Sequence, residues 1–126
     1  MYFPVSATLI EFLILSILKD QDSYGYDISQ TIKLVANIKE STLYPILKKL
    51  EKSGYLKTYS QEHQGRQRKY YQLTQEGHSH LAFLAGEWQS YKENLDAIIE
   101  GSLRHDKNLV LSRASESAPK TTTGRF

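Results

Sequence analysis

Apolar and polar positions follow a helical period in four stretches of this chain and a strand period in two. Between residues 6 and 19, Leu9, Ile10, Phe12, Leu13, Ile14, Leu15, Ile17 and Leu18 go almost all round a helical cylinder, and Ser6 can cap its start. Such a helix is buried on more than one side, so either a partner subunit covers it or it lies at the centre of a compact monomer. Polar residues 20–23 break the pattern, which resumes from 24 to 35 through Tyr24, Ile28, Ile32 and Val35. From residue 41, Leu43, Ile46, Leu47 and Leu50 recur at i, i+3, i+4, i+7, while Thr42, Tyr44, Pro45, Lys48, Lys49 and Lys52 take the other side. Ser41 or Thr42 is placed to cap this helix, Pro45 is read as a first-turn residue, and Gly54 supplies a left-handed stop.

Residues 55–60 and 67–73, rich in Tyr and Thr, read as two strands around a polar turn, 61–66. Period 2 puts Tyr71 and Leu73 on one face of the second strand and Arg68 and Tyr70 on the other. Thr74 caps a last helix running to about Gly101. Its Leu81, Leu84, Trp88, Tyr91, Leu95 and Ile98 are spaced alternately by three and four, a short heptad seam that needs further apolar surface to pair reliably. The first helix of a partner offers that surface, and packing within one chain is the alternative.

These elements predict a mainly α fold with a small β-hairpin (α+β): a winged helix-turn-helix over residues 1–74, a long C-terminal dimerisation helix over 75–101, and a polar tail over 102–126 read as disordered. No apolar run is long enough to span a bilayer, so no membrane association is expected, and the lack of cysteine fits a reducing, cytoplasmic setting.

A net charge of +2 conceals an uneven distribution. Residues 39–71 hold eight basic side chains against three acidic ones, whereas residues 72–103 hold one against five. Basic charge concentrated on the third helix and the hairpin is the pattern expected where a polyanion is met. Double-stranded DNA is the partner this chemistry suits, because lysines and arginines neutralise phosphates while hydroxyls and amides read groove edges. The candidate contacts are Ser41, Thr42, Tyr44, Lys48 and Lys49 on the third helix and Arg66, Arg68 and Lys69 on the wing. A lysine-bearing helix face is otherwise a solvated surface, and Tyr44 can equally be core between helix and wing.

Catalytic and cofactor chemistry are not indicated. His78 and His80 are two apart on a helix and diverge, and His63 and His105 lie in the turn and the tail. No Gly-rich phosphate loop or nucleophile constellation occurs, so no cofactor, metal or enzymatic activity is expected. Trp88, the single tryptophan, is core in the ordinary reading. At a two-fold axis it would face its symmetry mate, and two indoles can sandwich a planar aromatic ligand.

Three stretches, Ser23-Tyr24-Gly25-Tyr26-Asp27-Ile28, residues 42–51 (Thr-Leu-Tyr-Pro-Ile-Leu-Lys-Lys-Leu-Glu) and residues 65–74 (Gly-Arg-Gln-Arg-Lys-Tyr-Tyr-Gln-Leu-Thr), resemble the PadR family of bacterial transcriptional regulators. The resemblance covers roughly residues 6–100. It implies a homodimeric winged-helix repressor whose C-terminal helix exchanges contacts with the partner's first helix. A single such helix is similar to the shorter subfamily, which includes multidrug-responsive members. In those, a tryptophan of the last helix lines a pore at the dimer centre, and Trp88 matches it by its place between Glu87 and Gln89.

The function expected is therefore a dimeric repressor of an inverted-repeat operator, released by a planar aromatic effector. A winged-helix protein-interaction module without a DNA role is the alternative.

Overall fold

A computed structural model describes residues 1–105. Most of the tail, expected to be disordered, lies outside the described residues. The chain divides into two compact units, residues 1–82 and the remainder from 83 onward.

In the first unit, α1 (Ala7–Ile17) starts where expected: the Ser6 hydroxyl accepts the Leu9 N–H at 3.1 Å. Ile10, Ile14, Leu15 and Leu18 are buried, while Leu9, Phe12, Leu13 and Ile17 are half-buried. The last residue of the polar break and Tyr24, expected to open the next helix, instead form a two-residue strand, β1 (Ser23–Tyr24), too short to show a period in sequence. Next, α2 (Gly25–Ile32) ends a turn sooner than its apolar spacing suggested. Val35 is consequently exposed, and Ala36 and Ile38 enter the core instead.

The third helix, α3 (Glu40–Lys52), begins earlier than expected, with extended Lys39 rather than Ser41 or Thr42 at its N-cap. Glu40 explains the shift. A carboxylate is favoured in the first turn of a helix, and this one accepts hydrogen bonds from Ser29 Oγ at 3.0 Å and Lys33 Nζ at 2.7 Å on α2. Pro45 therefore sits beyond the first turn, where it has no N–H to give the Ser41 carbonyl. Leu43, Leu47 and Leu50 are fully buried, but Ile46 only half so. Gly54, at φ 86°, ends the helix as anticipated, and the Tyr55 N–H bonds back to the Leu50 carbonyl at 3.0 Å.

The hairpin strands β2 (Leu56–His63) and β3 (Arg66–Leu73) are longer than predicted and leave only Gln64 and Gly65 as the turn. Both turn residues have positive φ, 53° and 80°, the geometry that lets two residues join right-twisted strands. The sheet order is β1-β3-β2, with Tyr24 opposite Tyr70 and Tyr70 opposite Tyr59. Leu56, Tyr71 and Leu73 are buried on the inner face.

The last helix, α4 (Gln75–Glu100), is anchored by Thr74. Its hydroxyl accepts the Gly77 N–H at 2.9 Å and donates to the Gly54 carbonyl at 2.6 Å, so one side chain ties the helix start to the end of α3. At the far end Gly101 has φ 87°, and the Ser102 N–H bonds to the Ala97 carbonyl at 2.9 Å. Burial declines along the heptad seam: Leu81 and Leu84 are buried, Trp88 is half-buried, and Tyr91, Leu95 and Ile98 are exposed. No helix among the described residues is long and apolar enough to cross a membrane.

Candidate nucleic-acid interface

The core positions of α3 fix which side chains face outward. At about 3.6 residues per turn, Ser41, Pro45, Lys48 and Lys52 lie opposite Leu43, Leu47 and Leu50. Thr42, Ile46 and Lys49 form one flank, and Glu40, Tyr44 and Glu51 the other. All four outward residues are exposed.

Each flank is tied to its neighbours by specific contacts. On the α1 side, Lys49 Nζ lies 2.8 Å from Oε2 of Glu11, a carboxylate whose side chain is only 12% exposed. The same hydrogen bond raises the Lys49 pKa. Thr42 and Ile46 line a groove with Phe3, Val5 and Ile10. On the α2 side, the Lys33 and Ser29 bonds, with the Glu40 backbone N–H, lower the Glu40 pKa to about 2. The Tyr44 ring lies against Gly25, where an added Cβ would come within 2.8 Å of Tyr44 Cε1. Toward the sheet, Glu51 accepts from Thr58 Oγ1 at 3.2 Å and sits 3.6 Å from Lys69 Nζ.

The eight basic residues of the 39–71 segment thus fall into two groups. Lys49 and Lys69 are engaged by carboxylates of the fold. Lys39, Lys48, Lys52, Lys57, Arg66 and Arg68 make no ion pair with any described residue. An unneutralised cation retains its full attraction for a polyanion, whereas a paired one must first give up its partner. Lys52 belongs to the second group and lies on the outward face with Lys48. Its place on the polar side of α3 was visible in sequence, but nothing there separates it from Lys49, whose partner lies 38 residues away.

On the wing, Arg68 shares the outer face with Tyr70, as the alternation predicted; Arg66, expected in the turn, is instead the first residue of β3 in the same register, and Lys69 turns inward toward Glu51. The Tyr71 phenol, on the inner face, has a raised pKa, chiefly through burial. The outer face carries an aromatic row that composition alone does not reveal. Tyr59 and Tyr70 stack at 5.6 Å and 11°, Tyr70 and Tyr24 meet at 5.7 Å, and the Arg68 guanidinium lies 4.2 Å from the Tyr24 ring centroid. Tyr59 closes the row by donating to Asp22 Oδ2 at 2.6 Å, a bond that raises the phenol's pKa.

Trp88 lies on α4 in the second unit, with its ring 6.3 Å from that of Tyr91. His80 stacks on Tyr55 at 4.2 Å and 5°. Among the described residues no group of three or more potential ligands could hold a metal ion.

Residues 14–83 match the model of the transcriptional regulator PadR-like family. A crystal structure of a Streptococcus mutans protein is similar at 70% identity and a TM-score of 0.81, over 84% of this chain and 100% of that one. A PadR family transcription regulator of Clostridium difficile is similar at 35% identity and a TM-score of 0.67, over 71% of this chain and 97% of that one. An uncharacterised protein of Lysinibacillus sphaericus is 38% identical over 97 residues, which are 73% of this chain and 89% of that one.

Proposed function

The chain belongs to the PadR-like family of transcriptional regulators, and on that footing we propose that it is a homodimeric repressor acting on an inverted-repeat operator. The outward face of α3, with Ser41, Pro45, Lys48 and Lys52, enters the major groove. Arg66 and Arg68 meet the flanking phosphates or the minor groove beside it. Thr42 and Tyr44 border the face at the helix N-terminus, within reach of groove edges. Lys49 and Lys69 sit at its margin, where their carboxylates hold helix and wing in register and leave them a secondary share in phosphate contact.

The observation that carries this reading is the gathering of unpaired cations on the one side of α3 that the core leaves free. Footprinting of the region upstream of the protein's own coding sequence is its test. Protection of two half-sites about one helical turn apart is expected, and its loss in a Lys48→Gln/Arg68→Gln variant. Undiminished protection by that variant would count against the assignment.

Residues 75–101 serve as the dimerisation helix beside the winged domain of residues 1–74. Supporting this is the exposure of Tyr91, Leu95 and Ile98, three successive seam positions that an aqueous surface does not favour together. The Trp88 pair near the dimer axis then provides a site for a planar aromatic effector that changes the spacing of the two reading heads. Quenching of the single tryptophan by planar cationic dyes or phenolic acids tests it. A panel that leaves the emission unchanged would contradict it.

A further inference from the structure

Arg68 differs from the other cations of the wing in being half-buried. Its guanidinium lies across β1 with Cζ 4.2 Å from the Tyr24 ring centroid. It makes no hydrogen bond or ion pair with any described residue. Stacking occupies the flat face of a guanidinium and leaves the N–H donors on its edge free. The group is therefore held over the ring without spending the donors that a phosphate would take.

The ring beneath it is also fixed. Tyr24 meets Tyr70 at 5.7 Å and Tyr26 at 6.3 Å, Tyr70 stacks on Tyr59 at 5.6 Å, and Tyr59 is hydrogen-bonded to Asp22. One residue from each strand contributes to this row, so the whole width of the sheet backs one arginine. Arg66, by contrast, stands exposed beside the turn with no ring contact among the described residues.

We infer that Tyr24 is a positioning residue for DNA binding: it holds the Arg68 guanidinium edge-outward so that the wing meets a phosphate with an arginine already ordered. Ordering a long side chain opposes binding, and a side chain ordered beforehand escapes most of that cost. This inference rests on the DNA-binding reading, from which it can fail separately.

The test measures binding of the full-length protein to a labelled mixed-sequence duplex and to its own upstream fragment across a salt series. Arg68→Gln is expected to weaken binding and to make the log–log salt slope shallower by about 1 per site. Tyr24→Leu should weaken binding by roughly two- to fivefold, the range of an exposed cation–π pair. In the Arg68→Gln background it should do nothing more, and Tyr24→Phe, which keeps the ring, should bind as wild type does. Arg68→Lys should retain the salt slope but lose affinity, because an ammonium cannot stack and present an edge.

Equal weakening by Tyr24→Leu in both backgrounds, with a fall in thermal stability, would make Tyr24 merely structural and overturn the inference. So would a Tyr24→Leu variant that binds like wild type while Arg68→Gln does not. A wild-type protein that binds neither duplex would overturn the DNA reading and this inference with it, an outcome visible before any variant is made.

Discussion

Replacing Lys49 by Gln withdraws the one described cation within ion-pair distance of Glu11, a carboxylate whose side chain is almost buried. The expected result is a lower thermal midpoint, with part of the loss recovered by Glu11→Gln in the same chain. Lys52, one helical turn on, faces outward with no such partner among the described residues, and Lys52→Gln tests this. It should leave stability within about 0.5 kcal/mol and make the salt dependence of DNA binding shallower by about 1 per site. Thermal denaturation and a salt series together separate the two lysines. Glu40 adds a pH signature. Its folded pKa of about 2 lies below the ordinary value of 4.5, so the stability it contributes is present above pH 4.5 and disappears as pH falls toward 2. The midpoint difference between wild type and Glu40→Gln should therefore shrink across that window; a constant difference would contradict the Lys33 and Ser29 bonds. At this scale the sequence exposed residue types but not partners. Lys48, Lys49 and Lys52 share one polar helix side, and only the tertiary approach of Glu11 distinguishes the middle one.

The elements with long apolar periods were predictable: α1, Leu43, Leu47 and Leu50 of the α3 stripe, the alternation of β3 and the Thr74 cap all lie where the pattern put them. Elements fixed by contacts remote in sequence were not. The start of α3 depends on Glu40 reaching α2, and β1 exists only because Ser23 and Tyr24 pair with Tyr71 and Tyr70. The tyrosine row has no sequence signature for the same reason, since its members come from three strands. The hairpin turn gives a sharp prediction at this scale. Gln64 adopts φ 53°, a conformation that Asn tolerates better than Gln, and Gly65 follows it. Gln64→Asn should raise stability by about 0.5–1 kcal/mol, read by chemical denaturation, with DNA affinity unchanged. Conversely, Leu47→Ala empties a fully buried position and should cost about 2–5 kcal/mol.

For the molecule as a whole, the proposed dimeric repressor needs two copies of α3 held at a set distance, and α4 is the element proposed to hold them. Ile98→Asp places a charge in the exposed part of the seam, where a dimer would bury it. Sedimentation should then show a monomer with an intact circular dichroism spectrum and operator binding weakened far beyond the loss of any single cation. A dimer undisturbed by that charge would remove α4 from the interface. Central to the account is that unpaired cations of α3 and the wing meet the phosphates of duplex DNA, and the salt dependence of binding tests this most directly. If roughly six cations per dimer contact phosphates, the logarithm of affinity for the protein's own upstream fragment should fall against the logarithm of salt concentration with a slope near −5. The slope should become shallower in step as Lys48, Lys52 and Arg68 are neutralised. A slope near zero, or one untouched by all three substitutions, would contradict the account.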